Sequence, residues 1–315
     1  MKSLLIILVL SIVAADCPFA AGGELAGIPD ANRIFDFHSD FWVNLHHRLY
    51  QESQHHNANA DAGPTWNSAV QFYREHMANH DLLFDAAMVA LKNSLEDQKT
   101  AATLLPGPGL SSEVIAVLEK AAPDYRKAGW QEDDRSDREW ITAVLSLVNK
   151  YGWDIARELS HFYETAWPSY PVRVDVSGYA NWAGAYTTDN PTRITISSQD
   201  PANQGSAAVE IVFHEASHGI SDRLEQAISA ECRKQNLLLP RRDLWHAVLF
   251  YTAGEVVRRH LGDYTPYAGK NGLWKRAWPM YIGALEKDWQ PYLDGKIPFD
   301  SAVTALVKDV GQPRH

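Results

Sequence analysis

The sequence predicts a predominantly helical α+β fold, and three observations predict it. Apolar residues recur at helical spacing over 35–56, 65–98, 111–122 and 137–165, and again from about Ser206 onward. At Val172 the period changes to two, with Val172, Val174 and Val176 on one side of an extended run. The composition, 45% hydrophobic with eleven Trp in 315 residues, can fill the core of one large domain or two lobes, unlike that of a disordered chain.

The first residues, MKSLLIILVLSIVAADC, combine Lys2, an apolar run from Leu4 to Val13 and a small-residue stop. That is the layout of a secretory signal peptide, spanning 1–15 if cleavage follows Ala15 and reaching 21 if it falls later. The run is too short for a stable membrane anchor, so a secreted or periplasmic protein is expected. Export would permit Cys17 and Cys232 to pair, unless cleavage removes Cys17. A formal charge of -10 argues against nucleic acid or an anionic membrane as partner.

A helical N-terminal region is expected over 30–168. Within it, QEDDRSDRE at 131–139 reads as a solvated helix start capped by Asp137, and LPGPGL at 105–110 as a connector without the Lys-Ser/Thr of a phosphate loop. The remainder, 169–315, begins with a small sheet in which NWAGAYTT and RITISS flank the turn DNPT as a hairpin. Helices follow at 206–234, 243–261 and within 279–311.

The helix after the hairpin carries FHEASHG. Positions i and i+4 lie one turn apart on the same helical face, so His214 and His218 can offer imidazole nitrogens to one metal ion. Glu215 would then face a metal-activated water as general base. Thirteen His make the bare pattern a weak signal, so a third ligand has to decide. A catalytic zinc takes three protein ligands and keeps one position open. Continuation of the motif as H-x-x-G-x-x-H/D is ruled out by Ser221 and Leu224. Another arrangement draws a Glu from a downstream helix, and LWHAVLFYTAGEVVRRH supplies Glu255, 37 residues past His218. A carboxylate in so apolar a stretch needs a partner. Zinc is the expected one, with an ion pair to Arg258 or Arg259 as the alternative.

With HEASH at 214–218, Glu255 downstream and Asp222 four residues after His218, the region 178–260 resembles the gluzincins, the zinc metallopeptidases that include thermolysin and the M1 aminopeptidases. The resemblance implies a zincin-like core, a Zn2+ cofactor, a peptide or protein substrate and an edge strand, here NWAGAYTT, that binds extended substrate. The chain departs from that pattern in having Gly254 before Glu255, Arg259 after it, and no long sheet-rich N-terminal lobe.

Glu210 and Asp222, each one turn from a histidine, are candidates to hold the imidazoles. For stabilising an oxyanion, Tyr251 is preferred to His246, because His246 lies nine residues before Glu255 and so points to the opposite side of a straight helix. Tyr267 is a third candidate on a loop. The histidines in NLHHRLYQESQHH at 44–56 form no closed ligand set. A zinc-dependent metallopeptidase is therefore the expected function. The alternatives are a helical binding protein with a structural zinc, for which Cys232 is too distant along a continuous helix to be a fourth ligand, and a zinc amidohydrolase acting on a non-peptide substrate.

Overall fold

A computed structural model describes residues 34–54, 63–98 and 101–313. The signal segment, Cys17, His55 and His56 lie outside the described residues. The chain opens with strand β1 (Phe35–His38) and helices α1 (Phe41–Ser53), α2 (Pro64–His76), α3 (Ala86–Glu96), α4 (Ser112–Ala128) and α5 (Trp130–Phe162). Strands β2 (Val172–Ser177), β3 (Ala185–Thr188) and β4 (Arg193–Ser197) follow, then α6 (Ser206–His218), α7 (Asp222–Lys234), a short β5 (Leu237–Leu238) and α8 (Leu244–Leu261). The last part holds short turns α9 (Tyr267–Lys270), α10 (Leu273–Arg276) and α11 (Ile282–Ala284), a π turn at Leu285–Trp289, α12 (Gln290–Leu293), α13 (Phe299–Val310) and β6 (Gln312–Pro313). No helix among the described residues is long and apolar enough to cross a membrane.

The expected α+β composition holds, and elements from both sides of residue 168 share one sheet and one core. The main sheet runs β1-β2-β4-β3, with β1, β2 and β4 parallel and β3 antiparallel at the edge. The segment FDFH, expected to begin a helix, instead pairs Phe35 with Val172 and Phe37 with Val174. Its ladder partner lies far along the chain, which a local periodicity does not register. One face of the sheet, with Val172, Val174, Val176, Ile194 and Ile196, joins α5, α6 and α8 in a single core. Strand β1 and helix α5 thus belong to the same body as the candidate site. The opposite face meets α1 and α3, where Tyr186 enters a second core.

Between that second face and the helices lies a layer of buried polar groups. Lys92 and Glu96, one turn apart on α3, pair at 2.6 Å with neither side chain exposed. Arg193 of β4 also reaches Glu96 at 2.6 Å. His46 and His47 lie in this layer, His46 Nδ1 against Tyr73 Oη and His47 between Ser177 and Tyr186.

Asp137 is a correction. Helix α5 begins at Trp130, and Asp137 lies inside it, fully buried, accepting from Ser39, Asn44 and Ser198. It ties α5 to α1 and to the end of β4, which a charged run read as a solvated cap does not reveal. The helix expected over 206–234 is also two helices. At Gly219 an added Cβ would stand 2.3 Å from Thr192 Oγ1, so only glycine lets the chain turn there beneath the β3–β4 connection. Cys232 is buried on the second of these helices, and its expected pairing with Cys17 falls outside the described residues.

Candidate metal centre

Helix α6 forms from SAAVEIVFHEASH, a run without proline or internal glycine whose residues 207–217 are all buried. A helix apolar on every side lies between other elements, and α6 is packed among α5, α8, β3 and β4. Any polar side chain it carries therefore points into protein and needs a reason.

His214 and His218 leave this helix one turn apart toward α8, where His246 meets them. Their ring centroids lie 5.1 Å apart, and those of His246 lie 5.2 Å from His214 and 5.0 Å from His218. One nitrogen from each of the three falls within 4.8 Å of the others. His214 Nε2 and His246 Nε2 are 3.2 Å apart. Two nitrogens bound at about 2.05 Å to one tetrahedral ion are separated by about 3.3 Å, so the donor set fits a shared metal.

The surroundings keep all three imidazoles neutral, which is the form that binds a metal. Phe250 stacks on His214 at 3.5 Å between centroids, Trp245 lies against His218 and His246, and Trp278 packs on the edge of His246. Burial, reinforced by the neighbouring imidazoles, holds His214 well below its usual range and His218 at about 3. Burial likewise holds His246 at about 4, against an opposing pull from Asp243. His214 is closed off, whereas His218 and His246 are only partly buried, so the cluster opens to solvent on their side.

The expected third ligand, Glu255, is elsewhere. It pairs with Arg258 one turn on, the alternative partner that the sequence offered. Nine residues separate it from His246, half a turn out of phase, and α8 turns the His246 and Phe250 face toward α6. Tyr251 follows Glu255 away from the cluster and donates to Gln290 Oε1 at 2.8 Å. Neither residue belongs with the histidines.

Glu215 does remain beside them. It is 6% exposed, and Thr187 Oγ1 on the edge strand lies 2.6 Å from its Oε2. Burial pushes this carboxyl up to about 7, with the Thr187 hydrogen bond pulling the other way. The Tyr267 ring stacks on Phe250, and burial, followed by the charges of Asp200, Glu215 and Glu210, raises its phenol to about 12. Its position is fixed by Glu210, which accepts the Tyr267 backbone N–H at 2.9 Å. Gly254 makes room for this, since a Cβ there would stand 3.1 Å from Glu210 Oε1. Glu210 thus anchors α9 and does not hold a histidine, and Asp222 is exposed at the start of α7.

A divalent metal at 100 times its dissociation constant is expected to raise the unfolding free energy by about 2.7 kcal/mol, with about one ion held per chain. The check is the melting midpoint of chelated protein with and without added metal. An unchanged midpoint would mean that the three imidazoles do not share an ion.

Comparison with protein-family models, with curated proteins and with solved structures gives no match to this chain.

Proposed function

We propose that the chain is a secreted zinc-dependent hydrolase that cleaves peptide bonds, with His214, His218 and His246 as metal ligands and Glu215 as general base. One observation carries this reading: a buried carboxyl adjoins three converging, neutral imidazoles on the side of the edge strand. Three nitrogen donors, borderline in softness and with no carboxylate among them, suit Zn2+ better than Mg2+ or Ca2+. When bound, the ion polarises a carbonyl and acidifies a water.

The protein's own groups supply the rest. Glu215 takes a proton from the attacking water and returns it to the departing amine, and its position near 7 suits both directions of transfer at neutral pH. The Tyr267 phenol stays protonated at that pH and donates to the oxyanion that forms on the substrate carbonyl. Strand β3, antiparallel at the sheet edge and packed on α6, offers a rail along which an extended peptide lies beside Glu215. The zincin-like core belongs to this proposal, as does the gluzincin resemblance, which keeps HEASH but not Glu255 as ligand.

A structural zinc in a binding protein is the weaker reading. A closed structural site takes four protein ligands, and among the described residues the group contains three. Glu215→Gln is expected to retain the metal while lowering peptide hydrolysis by about 100-fold or more. Metal analysis beside cleavage of a quenched-fluorescent peptide library tests this. Wild-type turnover in the variant, or cleavage by neither protein, would remove the peptidase assignment.

A further inference from the structure

Among the described residues, Thr187 is the side chain of the sheet that hydrogen-bonds to the general base, and the ladder determines that it does. β3 pairs with β4 in the register Thr187↔Ile194 and Tyr186↔Thr195. Successive side chains alternate between faces, so Tyr186 goes to the helical side, with its hydroxyl 3.2 Å from His47 Nε2, while Thr187 faces α6. A slip of one residue would exchange them.

Thr187 Oγ1 stands 2.6 Å from Glu215 Oε2 and 2.9 Å from the Glu215 main-chain oxygen. A hydroxyl has one proton to give and lone pairs to accept with. It cannot donate to both oxygens at once, and the carboxyl oxygen is the nearer acceptor. Whether Oε1 is bare or carries a proton, Oε2 keeps lone pairs with which to accept this hydroxyl, so Oε2 stays bonded at the same place. Oε1 has no hydrogen bond among the described residues and is the oxygen left free to exchange a proton with water and leaving group.

We infer that Thr187 is a positioning residue, holding Oε2 of Glu215 by its hydroxyl so that Oε1 is the oxygen that performs the proton transfers. This rests on the hydrolase reading above. In the cleavage step, water loses a proton to Oε1, its oxygen bonds to the carbonyl carbon, the C–N bond breaks, and the proton on Oε1 passes to the amine nitrogen. Thr187 exchanges no proton with substrate.

Thr187→Val removes the hydroxyl and keeps the shape, whereas Thr187→Ser keeps the hydroxyl. With the library peptide best cleaved by wild-type protein, Thr187→Val is expected to lower kcat about 100-fold at unchanged KM and unchanged zinc content, and Thr187→Ser to restore most of it. In crystal structures of the variants, Glu215 should keep its place in Thr187→Ser and leave it in Thr187→Val, a readout independent of turnover. Glu215→Gln, run alongside, separates the two claims. If Glu215→Gln is inactive and Thr187→Val retains wild-type kcat with Glu215 unmoved, the positioning role is wrong while the hydrolase reading stands. If Glu215→Gln is itself fully active, the hydrolase reading fails and the inference fails with it.

Discussion

His246→Ala is expected to weaken zinc binding by more than about 100-fold, beyond the roughly 10–100-fold that follows from disturbing a group behind a ligand. The variant would leave two imidazoles on α6 and no third donor, because the His246 nitrogen 3.2 Å from His214 Nε2 is the contribution of α8. Glu255→Gln should leave affinity within about twofold and touch only its pair with Arg258, a partly exposed interaction worth about 0–1 kcal/mol. The two residues cannot exchange roles without rotating α8 by half a turn, which would pull Phe250 off His214 and bury Arg258. Competition against a chromophoric chelator at one pH ranks the variants. Loss in Glu255→Gln with none in His246→Ala would return the third position to the carboxylate.

Which side chain of α8 joins His214 and His218 is not legible in the sequence, and the reason is specific. His214, Glu215 and His218 are fixed relative to one another by helical geometry alone, so the local half of the site is legible in HEASH. The same rule shows that His246 and Glu255 face opposite ways, but not which face of α8 turns inward. The deciding information is tertiary: Phe250, one turn after His246, stacks on His214. A signal was present in the sequence, since Arg258 gives Glu255 a partner three residues away, whereas Trp245 and Phe250 flank His246 with rings and no countercharge. The place of Tyr267 is not legible either, because it depends on a hydrogen bond between α6 and the start of α9, 57 residues later. The hairpin followed from its turn and alternation, and β3 and β4 lie where that pattern put them. Strand β1 and the buried Asp137 share the opposite problem: each is defined by partners on distant elements, and each resembles something common in isolation.

The largest stability effect outside the histidine cluster is expected from Glu96→Leu, which should lower the unfolding free energy by about 3–5 kcal/mol by leaving Lys92 buried without its counterion. Neither side chain of the pair is exposed, and the other polar contact of the ammonium is Thr195 Oγ1 at 3.5 Å. Burial pushes the Glu96 carboxyl up, but Lys92, Asp175 and Arg193 outweigh it and hold the group at about 2, so at neutral pH it is charged. Asp175 stands the other way, raised by its own burial and then by the Glu96 charge. Removing Glu96 relieves Asp175 and lets it ionise toward Arg173, which returns part of the loss but supplies nothing to Lys92. Lys92→Met should therefore be milder, because Glu96 keeps Arg193 at 2.6 Å, and Lys92→Met with Glu96→Leu should recover most of the stability lost in Glu96→Leu. Urea unfolding of the three variants gives the comparison. The pair also packs beneath the edge of the sheet, with Lys92 lying over the Tyr186 ring of β3 at 5.6 Å. A loosened pair would consequently free the strand that presents Thr187 to Glu215. A loss below about 1 kcal/mol in Glu96→Leu would mean that water reaches Lys92 and that the layer between sheet and helices opens in solution.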